Sequence, residues 1–141
     1  SDDTIKVAGK RLGPTEVESV LVEHPQVVEA AAIGIPDEIK GSAVAVFCVL
    51  AAGVEASEEL RAELRRMLVK AMGKALAPKE ILFIGDVPKT RNAKVMRRMI
   101  RSAYLGLELG DTSSLVNPDA VQTIQSFSNK SAQQPSRGLE K

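Results

Sequence analysis

The chain is 141 residues long, a length that suits one folded domain and is too short for two full-sized ones. Hydrophobic residues make up 44% and charged residues 26% of the chain, which excludes a disordered or collagen-like sequence for most of it. Its 19 basic and 18 acidic residues leave a net charge of +1. A globally basic nucleic-acid-binding protein is therefore excluded, and only local basic patches remain to be considered.

We expect no targeting signal in the N-terminal residues of the sequence. The sequence opens Ser-Asp-Asp-Thr-Ile-Lys, with no initiating Met, no signal-peptide core and no transit-peptide character. No run of about 18 apolar residues follows, so we predict no membrane-spanning segment and no membrane partner. We interpret the chain as a fragment of a longer protein. We also expect a cytoplasmic location, because a single cysteine cannot form an internal disulfide.

Residues 4–14 predict a small β-hairpin. Residues 4–7 favour a strand, Gly9 marks a tight turn, and Arg11-Leu12 form a second extended piece that Gly13-Pro14 closes. A helix follows at once. Thr15 as its cap and Glu18 three residues later suggest a capping box. Pro25 ends this helix.

Three segments predict the strands of one sheet. Residues 27–35 are small and apolar between two prolines, residues 43–50 are apolar on both faces, and residues 80–84 form a third strand. The second of these should be central in the sheet because both of its faces are apolar. Cys48 lies within it, which predicts a buried and unreactive thiol.

Two helices complete the predicted fold. Ser57 caps a long amphipathic helix that Gly73 and Pro78 end, and residues 95–104 favour a short basic helix. The apolar stripe of the long helix comprises Leu60, Leu64, Met67, Leu68, Ala71 and Met72. We therefore predict an α+β fold, in which a small three-stranded sheet is flanked by helices and preceded by an N-terminal β-hairpin.

The C-terminal part has a different character. Beyond Leu105, Asn117-Pro118 predict the start of one short helix that extends through Ile124. Residues 126–141 are polar and lack hydrophobic periodicity, which predicts a disordered tail. The domain organisation expected from the sequence is thus a domain over residues 1–105, an extension over 106–125 and a tail over 126–141.

The strongest candidate site is a basic segment at residues 88–101, which holds six basic side chains and no acidic one. Such a segment suits a solvated helix, a nucleic acid or a phosphate-bearing small molecule. The small molecule is favoured because Lys94 ends a Pro/Thr/Asn loop that can present a long side chain. A nucleic-acid partner is not expected, since Tyr104 is the only aromatic residue nearby.

A second charged cluster lies at the N-terminus, where Asp2 and Asp3 precede the first strand and Lys10-Arg11 follow Gly9. A plain hairpin with charged ends is the alternative interpretation. His24, the only histidine, is predicted to be a capping or surface residue. The sequence contains no Ser/His/Asp set and no phosphate-binding glycine loop, which excludes a self-sufficient hydrolase or kinase.

These two segments resemble core motifs of the adenylate-forming superfamily, which includes acyl-CoA synthetases, peptide-synthetase adenylation domains and luciferases. Residues 2–18 (DDTIKVAGKRLGPTEVE) are similar to the family's hinge-and-hairpin motif, and residues 88–94 (PKTRNAK) to its catalytic-lysine loop. Between them, His24-Pro25, Gly34-Ile-Pro-Asp37 and Lys40-Gly41 fall where the family has similar segments. The resemblance covers about residues 1–105.

The resemblance implies that residues 1–105 are the small C-terminal lid domain of a larger enzyme. The N-terminal adenylation domain, which binds ATP and the carboxylate, would be the partner in the same chain. Arg97-Arg98 after the lysine, and the segment from Gly110 to Pro118 (Gly-Asp-Thr-Ser-Ser-Leu…Asn-Pro), resemble acetate- and propionate-type enzymes. The implied activity is therefore short-chain acyl-CoA ligation that forms AMP and pyrophosphate.

Family position also implies roles for individual residues. Lys94 would be the catalytic residue of adenylation, Asp2 the hinge, and Arg11 a contact to ATP phosphate. Gly9, Lys10 and Lys70 would lie at the CoA-binding face; Lys70 follows Val69, which occupies a position where acetate-type relatives carry Arg. ATP and CoA would be substrates, and Mg²⁺ is expected in the full-length enzyme but not as a ligand of this domain.

The resemblance also implies regulation and leaves alternatives open. Lysine in this loop is reversibly acetylated in some relatives, so an acetyltransferase and a deacetylase acting on Lys94 are possible partners. The loop itself differs from many members in having Asn92-Ala93 in place of Ser-Gly. One alternative is an adenylation-domain fragment that acylates a carrier protein. The other is a small basic interaction or nucleic-acid-binding module.

Overall fold

The computed structural model describes residues 3–133, and their side chains as far as residue 128. The chain divides into two compact units, with the boundary between Val87 and Pro88. Leu105, the last residue of the domain expected from the sequence, is the last residue of a helix in the second unit. Among residues 3–133, no helix combines the length and the apolar character needed to cross a membrane.

The first unit begins with the predicted β-hairpin. Strands β1 (Ile5–Val7) and β2 (Lys10–Leu12) pair antiparallel, with Ile5 opposite Leu12. The turn between them places Ala8 at φ 51° and Gly9 at φ 83°, a left-handed conformation that glycine adopts without a steric cost. The hydrogen bond from the Ala8 N–H to the Lys40 carbonyl, at 3.3 Å, ties this turn to the following sheet.

Helix α1 (Pro14–Leu21) starts earlier than predicted. Gly13 is its N-cap and Pro14 its first residue, where a missing N–H costs nothing. The Glu16 Oε1 atom accepts a hydrogen bond from the Gly13 N–H at 3.3 Å. The predicted capping box of Thr15 and Glu18 is therefore wrong. Pro14 is the first residue of the helix, so the helix begins closer to the N-terminus than Thr15 would allow as its cap.

The three predicted strands form one mixed sheet in the order β3-β4-β5. Strands β3 (Val27–Asp37) and β4 (Gly41–Leu50) are antiparallel, and β5 (Glu80–Ile84) runs parallel to β4. The central position of β4 is thus confirmed, and residues 43–48 are buried. The Cys48 thiol is free and fully buried, as predicted.

Helix α2 (Glu58–Met72) connects the parallel strands β4 and β5, followed by a 3₁₀ turn at Lys74–Leu76. Ser57 caps it as predicted, since its hydroxyl accepts a hydrogen bond from the Leu60 N–H at 3.0 Å. The helix buries Leu60, Leu64 and Leu68 in the core of the unit, whereas Ala71 of the predicted stripe is exposed. This core also contains apolar residues of the hairpin, α1 and the sheet.

The second unit contains helices α3 (Arg97–Leu105) and α4 (Pro118–Gln133), which contact each other. The predicted helix that ended at Ile124 is longer than expected, because residues 126–133 continue it. The remaining part of the predicted tail, residues 134–141, lies outside the described residues. The α+β class, with a three-stranded sheet and an N-terminal hairpin, is confirmed.

Candidate functional site

A closed loop presents Lys94 at the start of the second unit. Lys89 and Val95 form an antiparallel bridge at its base. Within the loop, the Thr90 N–H donates to the Lys94 carbonyl at 3.0 Å, and the Thr90 Oγ1 atom accepts from the Lys94 N–H at 3.3 Å. The backbone of Lys94 is therefore held twice by one threonine, while its side chain is exposed. This geometry suits a residue that offers a charge to a ligand.

Ala93 occupies a strained position beside this lysine. Its φ is 64°, in the left-handed region where a Cβ atom crowds the backbone, at a cost of roughly 1–2 kcal/mol. Its N–H donates to the Thr90 carbonyl at 2.9 Å, which keeps the turn tight. The sequence difference at Asn92-Ala93 thus falls at a position whose backbone favours glycine.

Helix α3 adds positive charge directly after the loop. Its first turn contains Arg97 and Arg98 and no acidic residue. This is the opposite of the usual preference, because the partial positive charge at a helix N-terminus favours acidic side chains. Arg97 is half-buried, and Arg98 and Arg101 are exposed. This local positive charge would attract a negatively charged ligand near Lys94.

A second segment contacts the base of the lysine loop, and no sequence pattern predicted it. The Asn117 Oδ1 atom accepts a hydrogen bond from the Lys89 N–H at 3.1 Å. The Val116 N–H donates to the Lys89 carbonyl at 3.1 Å, and Thr90 forms an antiparallel bridge with Leu115. The Asn117-Pro118 pair indicated the start of a helix and part of the family resemblance but not this contact, since a hydrogen bond across 28 residues leaves no local signal.

The hairpin residues lie in the first unit. Lys10 and Arg11 are exposed on β2, and Gly9 forms the turn before them. A Cβ atom added to Gly9 would meet no atom of the described chain within 4 Å. Packing within the chain therefore does not require glycine here. Lys70 is exposed in the last turn of α2.

The predicted site residues are thus distributed over both compact units. Lys94 belongs to the second unit, whereas Gly9, Lys10, Arg11 and Lys70 belong to the first. The predicted hinge residue, Asp2, lies outside the described residues. Among the described residues, no group of three His, Cys, Asp or Glu side chains could hold a metal ion.

Asp37 shapes the turn that supports the hairpin. Its Oδ2 atom accepts hydrogen bonds from the backbone N–H groups of Ile39 at 3.2 Å and Lys40 at 2.9 Å. Its Oδ1 atom accepts from Lys79 Nζ at 3.2 Å. The Lys40 backbone bond and the Lys79 side chain are the main causes that lower the pKa of Asp37. The same Lys40 supplies the carbonyl that binds Ala8, which links this turn to Gly9.

His24 is a structural residue that the sequence underestimated. It is only 7% exposed, so its prediction as a surface residue is wrong. Its Nδ1 atom does cap the backbone, since it accepts a hydrogen bond from the Gln26 N–H at 3.1 Å. Its Nε2 atom lies 3.1 Å from the Glu63 Oε2 atom on α2. The ring therefore connects the end of α1 to α2, a contact between distant segments that local sequence cannot indicate.

Comparison with known proteins finds one matching family. The sequence pattern of the family described as AMP-binding enzyme C-terminal domain matches residues 16–94, a range that starts in α1 and ends at Lys94. The chain is 46% identical over 123 residues to an acetyl-coenzyme A synthetase of Methanothrix thermoacetophila. It is 43% identical over 125 residues to a 3-hydroxypropionyl-coenzyme A synthetase of Sulfurisphaera tokodaii.

These matches cover most of this chain and a small part of each relative. The alignments include 87% and 89% of the chain, but only 19% of each of the two relatives. Among solved structures, an acyl-CoA synthetase of Brucella canis superposes with a TM-score of 0.68 at 40% sequence identity. That superposition covers 72% of this chain and 19% of the solved one.

Proposed function

The chain belongs to the family of AMP-binding enzyme C-terminal domains, and on this basis we propose that it is the mobile lid of an ATP-dependent short-chain acyl-CoA synthetase. The full enzyme would convert a carboxylate, ATP and CoA into acyl-CoA, AMP and pyrophosphate. Because the chain spans 19% of the length of the matched synthetases, the ATP and carboxylate pockets are assigned to an N-terminal adenylation domain. Residues 1–105 would form the lid itself.

One observation carries this proposal: the exposed Lys94 side chain projects from a backbone that Thr90 fixes at 3.0 and 3.3 Å. A fixed backbone reduces the number of positions that a lysine must sample to meet its ligand. The neighbouring Arg97 and Arg98 raise the local positive potential. Both features support an anionic substrate at Lys94.

In the first step, a carboxylate oxygen would attack the α-phosphorus of ATP, and the bond to pyrophosphate would break. Negative charge accumulates on the oxygens around phosphorus as this occurs. The Lys94 ammonium group would bridge the carboxylate and the α-phosphate and stabilise that charge. We assign Mg²⁺ to ATP in the full enzyme and not to this domain.

In the second step, the lid would rotate about Asp2 and bring the hairpin to the acyl-adenylate. The CoA thiolate would attack the acyl carbonyl, and AMP would leave as the carbon–oxygen bond breaks. The open space around Gly9 supports passage of the pantetheine arm beside this turn. Lys10 and Lys70 would contact CoA, while Arg11 would contact phosphate. One lid would thus serve both steps by presenting different faces.

Regulation at Lys94 and a cytoplasmic location form part of this proposal. The exposed side chain of Lys94 is accessible to a lysine acetyltransferase and deacetylase. Acetylation would remove the positive charge that adenylation requires. Mass spectrometry of the native protein tests this point, because Lys94 that is unmodified under every growth condition would contradict it.

The test of the main proposal is acid-dependent exchange of labelled pyrophosphate into ATP by the full-length protein. Acetate, propionate and longer acids would be compared. The Lys94→Ala variant is expected to lose exchange by a factor of 10² or more, the order seen when one charge-stabilising group is removed (about 10²–10³). The same variant should still form thioester from supplied acyl-adenylate. Lys74→Ala, which removes an equal charge from an exposed position in the first unit, is the matched control.

The possible results separate the candidate functions. Equal loss of both half-reactions in Lys94→Ala would contradict the role proposed for this lysine. Wild-type exchange followed by transfer to a phosphopantetheinylated carrier protein, and not to CoA, would favour the carrier-protein alternative. Absence of exchange with every acid, together with steeply salt-dependent oligonucleotide binding, would favour the basic interaction module.

A further inference from the structure

The segment before α4 holds the lysine loop by contacts on both sides of one residue. The Lys89 N–H donates to the Asn117 Oδ1 atom, and the Lys89 carbonyl accepts from the Val116 N–H, both at 3.1 Å. Leu115 adds an antiparallel bridge to Thr90. We name residues 115–117 the clamp segment. It contacts Lys89 and Thr90, the two residues with which the lysine loop begins.

The clamp segment is itself fixed to a helix. Asn117 directly precedes α4, and its carbonyl accepts from the Ala120 N–H at 3.0 Å. Pro118 follows it, which restricts Asn117 to an extended backbone conformation. Helix α4 contacts α3, and Ala120, Val121 and Ile124 are buried. The Asn117 side chain therefore has a rigid base from which to act.

The clamped residues lead directly to Lys94. Lys89 pairs with Val95 across the loop, and Thr90 binds the backbone of Lys94 through its N–H and its hydroxyl oxygen. A shift of Lys89 would therefore move Val95, its bridge partner, and Thr90, the next residue in the chain. Because Ala93 holds a left-handed φ of 64°, the loop is strained and depends on its surroundings to keep this conformation.

We propose that Asn117 is a positioning residue for adenylation, which sets the place of Lys94 through Lys89 and Thr90. This inference rests on the catalytic role proposed above for Lys94. Misplacement of a reacting group by about 1 Å can reduce a rate by about 10²-fold. Loss of the Asn117 contact is thus expected to slow adenylation about 10- to 100-fold. The thioester step, assigned to the hairpin, should not change.

Three variants in the full-length protein test the clamp. Asn117→Ser keeps a residue that begins helices as well as asparagine does, but its oxygen lies one bond nearer the backbone and loses the Lys89 contact. Asn117→Asp keeps an acceptor oxygen at the original distance. Gln122→Ala changes an exposed polar residue of the same helix and serves as the control.

The expected result is a selective loss in Asn117→Ser. Its turnover number for pyrophosphate exchange should fall about 10- to 100-fold, with unchanged KM for ATP and acid and unchanged thioester formation from supplied acyl-adenylate. Asn117→Asp should restore most of the exchange rate, and Gln122→Ala should match the wild type. Amide hydrogen exchange at residues 89–95 should increase in Asn117→Ser alone.

Two outcomes would overturn the inference, and both differ from failure of the proposed function. If Asn117→Ser exchanges pyrophosphate at the wild-type rate while Lys94→Ala does not, the clamp segment does not position the lysine. Equal loss of both half-reactions in Asn117→Ser would show a general structural role. If Lys94→Ala itself retains exchange, the catalytic role of the lysine fails first. Should Asn117→Ser not fold, Asn117→Asp supplies the test: slow pyrophosphate exchange together with wild-type hydrogen exchange at residues 89–95 would contradict a role for Asn117 that acts through the loop.

Discussion

At the scale of single residues, the local environment decides which reactive groups are available for chemistry. Lys94 is exposed on a fixed backbone, whereas Cys48 is fully buried in the central strand. Burial raises the pKa of the Cys48 thiol to about 12, because the charged thiolate loses its hydration there. The Cys48 thiol, although a strong nucleophile when ionised, is therefore unreactive in the folded protein, whereas the Lys94 side chain is accessible to a ligand.

This shift predicts how stability depends on pH. Below the ordinary thiol pKa, both folded and unfolded chains keep Cys48 protonated, so stability is unaffected. As pH rises above that value the unfolded chain ionises, but the folded chain does not until about pH 12. The free energy of local unfolding should thus fall with rising pH in this window. Hydrogen exchange at β4 measures it.

Comparison with Cys48→Ala isolates this effect, because other groups also titrate at alkaline pH. The variant should show a shallower decrease between about pH 9 and pH 11 than the wild type. In the native protein at pH 8, iodoacetamide should label Cys48 only after denaturant is added. Parallel pH profiles for the two proteins, or rapid native labelling, would contradict the predicted burial.

At the scale of elements, the hairpin depends on a close approach to β3. A Cβ atom added at Gly34 would lie 3.1 Å from Ile5 Cγ2 and 3.6 Å from Ile5 Cγ1. The glycine therefore permits β1 to lie against the sheet at this point. The hydrogen bond between Ala8 and Lys40 supports the same contact near the turn. Hairpin position is thus set by packing on β3 and β4 and by the β3–β4 turn.

Gly34→Ala is expected to displace the hairpin and weaken the thioester step. Overpacking of this kind costs about 1–3 kcal/mol, and the displaced elements carry Gly9 and Arg11. Thioester formation from acyl-adenylate should fall more than pyrophosphate exchange, because the proposed CoA contacts at Gly9 and Lys10 lie on the hairpin, whereas Lys94 does not. The second-site change Ile5→Leu removes the Cγ2 methyl group and should restore part of the rate. Simple additivity of the two changes would contradict a direct contact.

At the scale of the whole molecule, the two half-reactions are assigned to different compact units. Lys94 and its clamp lie in the second unit, and the hairpin lies in the first. Domain alternation in the full enzyme would then use each group of residues in turn. Variants in the two units should accordingly separate the half-reactions, which a single shared site would not allow.

Gly9→Leu tests the hairpin side of this division. The variant should block thioester formation by obstructing the CoA arm and should leave adenylation unchanged. Leucine would also strain the backbone, since φ at Gly9 is 83°. Gly53→Leu is the matched control, because Gly53 has the same φ of 83° and equally open space around its Cα. An unimpaired thioester step in Gly9→Leu would contradict a CoA path at this turn.

The sequence by itself determined the element types and the family. Apolar residues 43–50 indicated a central strand, Ser57 indicated a helix start, and two motifs, at residues 2–18 and 88–94, indicated adenylate-forming enzymes. These signals succeed because each depends on neighbouring residues: a local hydrophobic period, a capping side chain or a continuous motif. The roles of the individual site residues stay predictions.

Only the tertiary structure decided which distant residues meet. Glu18, expected to cap α1, instead accepts a hydrogen bond from the Ala32 N–H at 2.9 Å. His24 meets Glu63 on another helix, and Asn117 holds Lys89 at the base of the lysine loop. In each case a polar group is satisfied by a partner 14 or more residues away. The folded arrangement of the helices and strands determines this partner. A local sequence pattern includes only one of the two residues in contact, so it cannot predict the pair.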